Sequence, residues 1–212
     1  MCVNDELCYV LLKYFRKRHL TLRFRNYLIG GFFYTLYFVL CTQYYSLMIL
    51  LSIDPGYDKT GYAVFQSDHP SKISFITSGL IKTNKTDELV SRLKVISTTI
   101  ATIIEEYKVD TMVMEQLFFF KNAKTVIAVA QAQGSLIALA ADKGLDFHFL
   151  TPLQIKQIVT GDGHADKKSV WKMLKLQLGD KLVVADDDES DAIACGYAYC
   201  LVSPIHGVRL MQ

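Results

Sequence analysis

From Ile49 onward, short apolar runs alternate with segments of helical spacing, and this order limits the possible folds more than any other feature of the sequence. The runs "ILLSI", "TGYAVF" and "KISFITSGLIK" predict three consecutive strands, with a turn at "SDHPS" between the second and the third. "TMVMEQ" and "DFHFLT" predict two later strands, and helical segments precede, separate and follow them. This order indicates one α/β domain, built on a mixed five-stranded sheet that is flanked by helices.

Two of the helical segments carry further information. "DELVSRLKVISTTIATIIEEY" has apolar residues at helical spacing, and we expect Asp87 and Glu88 in its first turn, where the helix dipole favours acidic residues. The helix predicted over residues 122–143 has a face of small residues and ends at Gly144. That face would allow close packing, either on the sheet or against a second copy of the chain, and consists of Ala130, Gly134, Ala138 and Ala141.

The first 47 residues differ from the rest of the chain. A basic stretch, "KYFRKRHLTLRFR", precedes residues 27–47, which carry no formal charge and are long enough to span a bilayer. The long basic region and the lack of a small-residue cleavage site argue against a signal peptide. Three interpretations remain: a leader without function upstream of a start at Met48, a hydrophobic element packed on the domain, and a membrane anchor. We therefore divide the chain into an extension over residues 1–47, the α/β domain over 48–203 and a short tail over 204–212.

Charge and cysteine content exclude two classes of protein. Residues 1–47 hold six Lys or Arg and two Asp or Glu, a charge of +4, so 17 basic and 19 acidic residues remain in the rest, a charge of −2. A domain of that charge is no polycation, so any binding of nucleic acid must come from a local basic patch. The five Cys residues include no C-x-x-C pair, which indicates free thiols in a reducing compartment and argues against a zinc site.

Carboxylates stand at the ends of two predicted strands and at the start of the last helix. Asp54 closes the first strand, and Glu115 closes the fourth strand after the apolar "MVM". Asp188 and Asp191 are three residues apart in "ADDDESDA" and share a helix face. If the first and fourth strands are neighbours, Asp54 and Glu115 lie side by side at one sheet edge. A helix packed across that edge would bring the other two carboxylates to the same point.

Four carboxylates at one point call for cations, because they cannot all stay ionised without them. Oxygen ligands with few nitrogens or sulfurs suit Mg²⁺ or Mn²⁺, and two such ions are the usual means of holding both the attacking and the leaving oxygen of a phosphodiester. Each residue taken alone has a simpler interpretation, as a turn, a cap or an acidic helix start. A glutamate at the end of a buried strand has no structural role of that kind, which favours a catalytic metal site.

Four motifs, in matching order and spacing, resemble one known family. "IDPGYDKTGYAVF", "MEQLFFFKNAKT", "LTPLQIKQIVTGDGHADKKSV" and "DDESDAIACGYAYC" together resemble the RuvC-type Holliday junction resolvases of bacteria, from about Ile49 to Val202. The resemblance implies an RNase H-like fold, a homodimer, and symmetric nicks in four-way DNA junctions made with a divalent metal. Some relatives place a histidine near the third acidic position, where Asp188 stands here, and we expect the nearby His164 to be exposed. The implied metal ligands are Asp54, Glu115, Asp188 and Asp191.

The resemblance also implies residues that contact DNA. Phe118 matches a residue near the junction centre, where stacking on an unpaired base is worth roughly 1–3 kcal/mol. Lys121 and Asn122 lie beside it and would contact phosphate, although Asn122 is equally suited to cap the next helix. Lys156 and Lys167 match basic positions close to the scissile phosphate, where Lys167 would act in catalysis as a point charge. Contacts to the DNA backbone would come from Lys168 and Lys172.

The implied activity is that of a crossover junction endodeoxyribonuclease, a hydrolase of DNA recombination and repair. The implied cofactor is Mg²⁺, with Mn²⁺ as a substitute and two ions in each active site, and the implied partners are four-way junction DNA, a second copy of the chain and a branch-migration helicase complex. Two alternatives stay open: another RNase H-like nuclease, and a junction-binding protein that does not cleave. Actin-like ATPases and sugar kinases share a hairpin like "DPGYDKTGYAVF", but they need a second domain, a second phosphate loop and an adenosine motif that this sequence lacks.

A nuclease activity bears on the three interpretations of residues 1–47. A membrane anchor over residues 27–47 would place the domain away from the chromosome, because the positive-inside rule exports the chain that follows. We therefore rank the leader first, the packed element second and the anchor third. The expected location is the cytoplasm, without attachment to a membrane.

Overall fold

The computed structural model describes residues 47–69, 71–116, 123–179, 182, 184 and 186–203, all of which belong to one compact unit. The predicted extension, apart from Leu47, and the predicted tail lie outside the described residues, and the domain boundaries stay predictions. Within the described ranges, no helix combines the length and the apolar character that are needed to cross a bilayer. The segment 27–47, where we considered an anchor, lies outside the described residues except for Leu47.

Five strands form one sheet, which confirms the predicted mixed sheet. The spatial order is β3-β2-β1-β4-β5; β1 pairs antiparallel with β2 and β2 with β3, whereas β1–β4 and β4–β5 are parallel. The predicted "SDHPS" turn is too long, because β2 continues to His69 and β3 begins at Lys72. The strands are β1 (Met48–Asp54), β2 (Lys59–His69), β3 (Lys72–Lys82), β4 (Thr111–Glu115) and β5 (Asp146–Leu150).

Five helices complete the described part of the chain. The prediction of Asp87 and Glu88 in the first turn of the first helix was wrong, because that helix begins at Leu89 with Glu88 as its N-cap. Asp87 instead closes a turn with Asn84, whose side-chain amide donates to the Asp87 carboxylate at 3.1 Å. The helices are α1 (Leu89–Tyr107), α2 (Ala123–Asp142), α3 (Pro152–Thr160), α4 (Lys167–Leu178) and α5 (Asp187–Val202).

The sheet lies between two helical layers. Side chains alternate between the two faces of a strand, so Leu51 and Ile53 of β1 enter a core with α1 and α2. Met48 and Leu50 of the same strand enter a second core, which is built with α3, α4 and α5. Every apolar residue of β1 except Ile49 is buried, which explains its continuous apolar run.

Helix α2 packs on the sheet with a face that we did not predict. Ala132, Leu136 and Ala140 are fully buried in the core that α2 shares with α1 and with apolar residues of the sheet. The face of Ala130, Gly134, Ala138 and Ala141 points the other way and is exposed, so its packing on the sheet is ruled out as an explanation. The helix ends as expected: Gly144 has φ +65° and its N–H donates to the Ala141 carbonyl.

Helix α5 approaches β1 and β2 so closely that one position must be glycine. A Cβ on Gly196 would lie 2.5 Å from the Phe65 ring and 2.5 Å from the Ser52 hydroxyl. From Ala192 to Cys200 every residue of the helix is buried, including the free thiols of Cys195 and Cys200. The free state predicted for cysteines is confirmed for these two, and Cys2, Cys8 and Cys41 lie outside the described residues.

We expect Gly196→Ala to lower the free energy of unfolding by about 1–3 kcal/mol, because the added methyl group overpacks the contact between α5 and the sheet. Helix propensity alone predicts the opposite sign, a gain of about 1 kcal/mol. Equilibrium urea unfolding of both proteins measures the difference. Equal or higher stability of the variant would contradict the close packing of α5.

Candidate active site

The carboxyl ends of β1 and β4 place two acidic residues side by side. Ile53 lies opposite Met114 in the parallel pairing of these strands, so Asp54 and Glu115 are the next residues on each. Side chains alternate between the faces of a strand, so Asp54 lies on the same face as Leu50, and Glu115 on the same face as Val113. Leu50 and Val113 belong to the core under α5. Asp54 and Glu115 therefore reach the same edge on the α5 side of the sheet.

Three contacts hold the start of α5 against this edge. Gly61 is paired with Asp54 in the sheet, and a side chain there would collide with the backbone carbonyl of Asp188. The Ser52 hydroxyl donates to the Ala192 carbonyl at 2.8 Å. From β3, the Ser78 hydroxyl donates to a carboxylate oxygen of the largely buried Glu189 at 2.6 Å. These contacts fix the start of α5, which carries Asp188 in its first turn and Asp191 just after it.

The four predicted carboxylates share one electrostatic environment. Burial, followed by the carboxylates of Glu115, Asp191 and Asp188, raises the pKa of Asp54 well above its usual range. Burial and Asp191 raise the pKa of Glu115 to about 7. The pKa of Asp188 is also raised, first by burial and then by Asp186. Ionising the whole group is therefore costly unless a positive charge accompanies it.

Two predicted lysines lie at this cluster. The Lys167 ammonium donates to Asp191 at 2.7 Å and lies 3.8 Å from the carboxylate of Asp187. Partial burial lowers its pKa, but the carboxylates of Asp191, Asp187 and Asp54 outweigh that and leave the pKa raised. Lys156 and Lys167 line a cleft of about 230 Å³ that also contains Glu115 and Asp191. A phosphate in this cleft would meet both ammonium groups and two of the carboxylates.

The carboxylates approach one another without forming a closed ion cage. Within the described ranges, no three acidic, His or Cys side chains converge closely enough to hold a metal ion. Asp191 is engaged by Lys167, and the carboxyl groups of Asp188 and Asp186 share a hydrogen bond. Binding an ion would therefore require these side chains to exchange partners.

The donor chemistry nevertheless fits a hard divalent cation. All four groups are carboxylates whose mutual repulsion such a cation would relieve, as Mg²⁺ and Mn²⁺ sites do. The thiol of Cys195 is a poor ligand, because burial and the carboxylates of Glu115 and Asp54 raise its pKa well above the usual range. The predicted ligand set of Asp54, Glu115, Asp188 and Asp191 stays a prediction.

The other predicted site residues fall into two groups. Lys168 and Lys172 lie exposed on α4, and His164 is exposed as expected. The residues between β4 and α2 lie outside the described ranges, so their predicted DNA contacts are untested; these are Phe118, Lys121 and Asn122.

Sequence reasoning missed a buried arginine beside the site. The side chain of Arg92 is 4% exposed, and its guanidinium donates to Asp58, to the Thr83 hydroxyl at 2.9 Å and to the Tyr57 carbonyl at 3.1 Å. The guanidinium also lies 3.5 Å from the centre of the Tyr57 ring. Arg92 falls in register with the buried Ile96 and Ile100 on α1, so a charge within the apolar face of that helix was the available signal.

Comparison with known proteins identifies the family. The family model for crossover junction endodeoxyribonuclease RuvC matches residues 50–199. The chain belongs to the RuvC family. Members of this family are metal-dependent nucleases. The match to the family model includes the carboxylates of β1 and β4 and the whole active-site end of α5.

Individual RuvC relatives agree with this assignment. The crossover junction endodeoxyribonuclease RuvC of Thermosipho melanesiensis is 40% identical over 154 residues, which are 73% of this chain and 96% of the relative. That of Rickettsia felis is 36% identical over 150 residues, 71% of this chain and 96% of the relative.

Two solved structures share the fold. Thermus thermophilus RuvC in complex with a Holliday junction superposes with a TM-score of 0.69 at 24% identity, covering 73% of this chain and 93% of that chain. The yeast mitochondrial Holliday junction resolvase superposes with a TM-score of 0.56 at 16% identity, covering 82% of this chain and 86% of that chain. These likenesses confirm the predicted RNase H-like fold.

We expect the metal-free protein to lose stability as pH rises from about 4.5 to about 7. The folded protein binds the Glu115 proton more tightly than the unfolded chain does, so it gives up that advantage across this window. Glu115→Gln should reduce the loss by on the order of 2 kcal/mol. Urea unfolding at pH 5 and pH 8 in a chelating buffer measures both proteins, and identical pH dependence in the two would contradict the shifted pKa.

Proposed function

We propose that this chain is a divalent-metal-dependent endonuclease that resolves four-way DNA junctions by paired symmetric nicks, in recombination and repair. The single observation that carries the proposal is the meeting of Asp54 and Glu115 with the first turn of α5 at one sheet edge, in a chain of the RuvC family. The junction as substrate is supported by the relatives' names and by the junction-bound structure of one of them.

The residues of this chain have distinct tasks in the proposed reaction. Asp54, Glu115, Asp188 and Asp191 would hold Mg²⁺, or Mn²⁺ in its place, as two ions. When bound, such ions lower the pKa of water to supply the nucleophile and neutralise charge on the phosphodiester oxygens. Lys167 would contact the scissile phosphate as negative charge increases on it, since its ammonium already lies at the carboxylates. Lys156 would bind the same or the adjacent phosphate from across the cleft.

The exposed face of α2 supports a homodimer as part of this proposal. Ile127 is 63% exposed and Ile137 is 36% exposed, and they flank the small residues along the same side of the helix. An apolar stripe with small side chains lets a second helix approach closely. A two-fold dimer would present one active site to each of two opposed strands of a four-way junction. A cytoplasmic location and delivery by a branch-migration helicase complete the proposal, on the resemblance alone.

Asp54→Asn should bind a four-way junction with near-normal affinity and lose at least about a thousandfold in cleavage rate, because the amide cannot replace a carboxylate ligand. Gel mapping of nicks on each strand of a mobile junction, with and without Mg²⁺, measures cleavage, and anisotropy measures binding. Wild-type cleavage by the variant would remove Asp54 from the site. Binding without cutting by the unaltered chain would favour a non-cleaving protein, and faster hydrolysis of an RNA–DNA hybrid would favour another RNase H-like nuclease.

Ile127→Glu should shift the protein from dimer to monomer, because it buries a charge in the proposed interface of α2. Leu176→Glu is the matched control, since Leu176 is 67% exposed on α4 and lies outside that face. Light scattering after size exclusion measures the mass of each protein. Equal masses of the two variants would contradict the α2 interface, whereas a monomeric Ile127→Glu should also lose the pairing of its two nicks.

A further inference from the structure

A second groove, distinct from the cleft of Lys156 and Lys167, reaches the acidic cluster from another side. It has a volume of about 650 Å³ and shares no lining residue with the first cleft. Its walls are the turn between β1 and β2, the end of β3 and part of α2, and Asp188 is also in its lining. Because Asp188 belongs to the cluster, the groove adjoins the proposed site of cleavage. We call it the lysine groove; its basic residues are Lys59, Lys82 and Lys85, and its acidic residues are Asp58 and Asp188.

Two of these lysines face each other across the sheet, and one of them lacks an ion pair. Lys59 and Lys82 are directly paired residues of β2 and β3, and like charges opposite one another destabilise a sheet. The ammonium of Lys82 has no ion pair within the part of the chain that the structure describes. Because Lys59 is already paired with Asp186, Lys82 is the member of the pair whose charge an anion in the groove would balance.

The existing ion pairs of the groove are weak enough to be replaced. Lys59 pairs with Asp186, and Lys85 lies 3.4 Å from Asp58 with 79% of its side chain exposed. The pair of Lys85 and Asp58 is exposed, and exposed pairs contribute about 0–1 kcal/mol. A phosphate that releases its counterions on binding gains more from the same ammonium group.

The walls of the groove are held in place before any ligand binds. The buried guanidinium of Arg92 joins the β1–β2 turn, through Tyr57 and Asp58, to Thr83 at the end of β3. Thr83 also donates to the Tyr57 carbonyl at 2.8 Å, and its N–H donates to the carbonyl of Asp58. Arg92 is too deeply buried to contact a ligand, so its role is to position the groove. A preformed site loses less entropy on binding than a mobile one.

We propose that the lysine groove binds the phosphate backbone of the DNA strand that leads away from the cut, independently of base sequence. The proposal rests on the junction-cleaving function above and adds a contact that lies beyond the four carboxylates and the lysines of the first cleft. Lys82 and Lys85 each contact a backbone phosphate, and Asp188, which lines the same groove, connects it with the catalytic cluster.

The test is the salt dependence of junction binding by the full chain in metal-free buffer, measured by anisotropy with a labelled four-way junction. Lys82→Gln combined with Lys85→Gln should weaken binding roughly tenfold or more at about 0.1 M salt. The slope of log K against log salt should fall in magnitude by about 2 for each copy of the chain on the junction. Replacing both lysines with arginine should restore the affinity and the slope.

The matched control replaces Lys72 and Lys94 with Gln, which removes the same charge elsewhere. Lys72 lies at the opposite end of the β2–β3 hairpin, and Lys94 is exposed on α1, on a different side from Arg92. A slope change limited to the groove variant supports the proposal, and equal slopes in both variants overturn it. If the unaltered chain neither binds nor cleaves the junction, the proposed function itself fails. If the unaltered chain cleaves the junction and the two variants have equal slopes, only the groove proposal fails.

Discussion

The close contact of helix α5 with strands β1 and β2 is the constraint on which the site depends. Gly61 lies opposite Asp54, and only its lack of a side chain lets the backbone of Asp188 reach the sheet. Gly196, two turns further along α5, allows the same approach over Ser52 and Phe65. The helix is thus fixed along its length, and the carboxylates of its first turn have little freedom to move away from Asp54. Packing therefore supplies the energy that keeps mutually repelling charges together.

Much of the fold and part of the site follow from the sequence through local rules. The period of two along β1 and β4 decides that Asp54 and Glu115 share a face, and parallel pairing decides that they share an edge. The contacts that fix α5 are not local: Ser78 and Glu189, for example, are 111 residues apart. Such a pair leaves no periodic pattern in the sequence, because each partner alone has the sequence context of an ordinary surface residue.

Helix α2 shows why the sequence left its orientation undecided. Ala132, Leu136 and Ala140 form one apolar face, and Ala130, Gly134 and Ala138 form another, so the helix is apolar on both sides. A hydrophobic pattern assigns the buried side of a helix only when the other side is polar. The sheet has room for one of the two faces. The remaining one, left exposed in the single chain, is what the proposed two-fold partner would cover.

The acidic and the basic groups of the proposed DNA-binding surface differ in how deeply they are buried. The carboxylates of Asp54 and Glu115 are largely buried, where charges interact strongly and are little screened by salt. The side chains of Lys85 and Lys167 are 79% and 61% exposed, and the field of their charges extends about one Debye length, roughly 8–10 Å. A phosphate therefore meets a local positive rim although the domain as a whole is slightly acidic. Binding should then respond mainly to salt, and cleavage mainly to metal and pH, because different groups at different depths control the two steps.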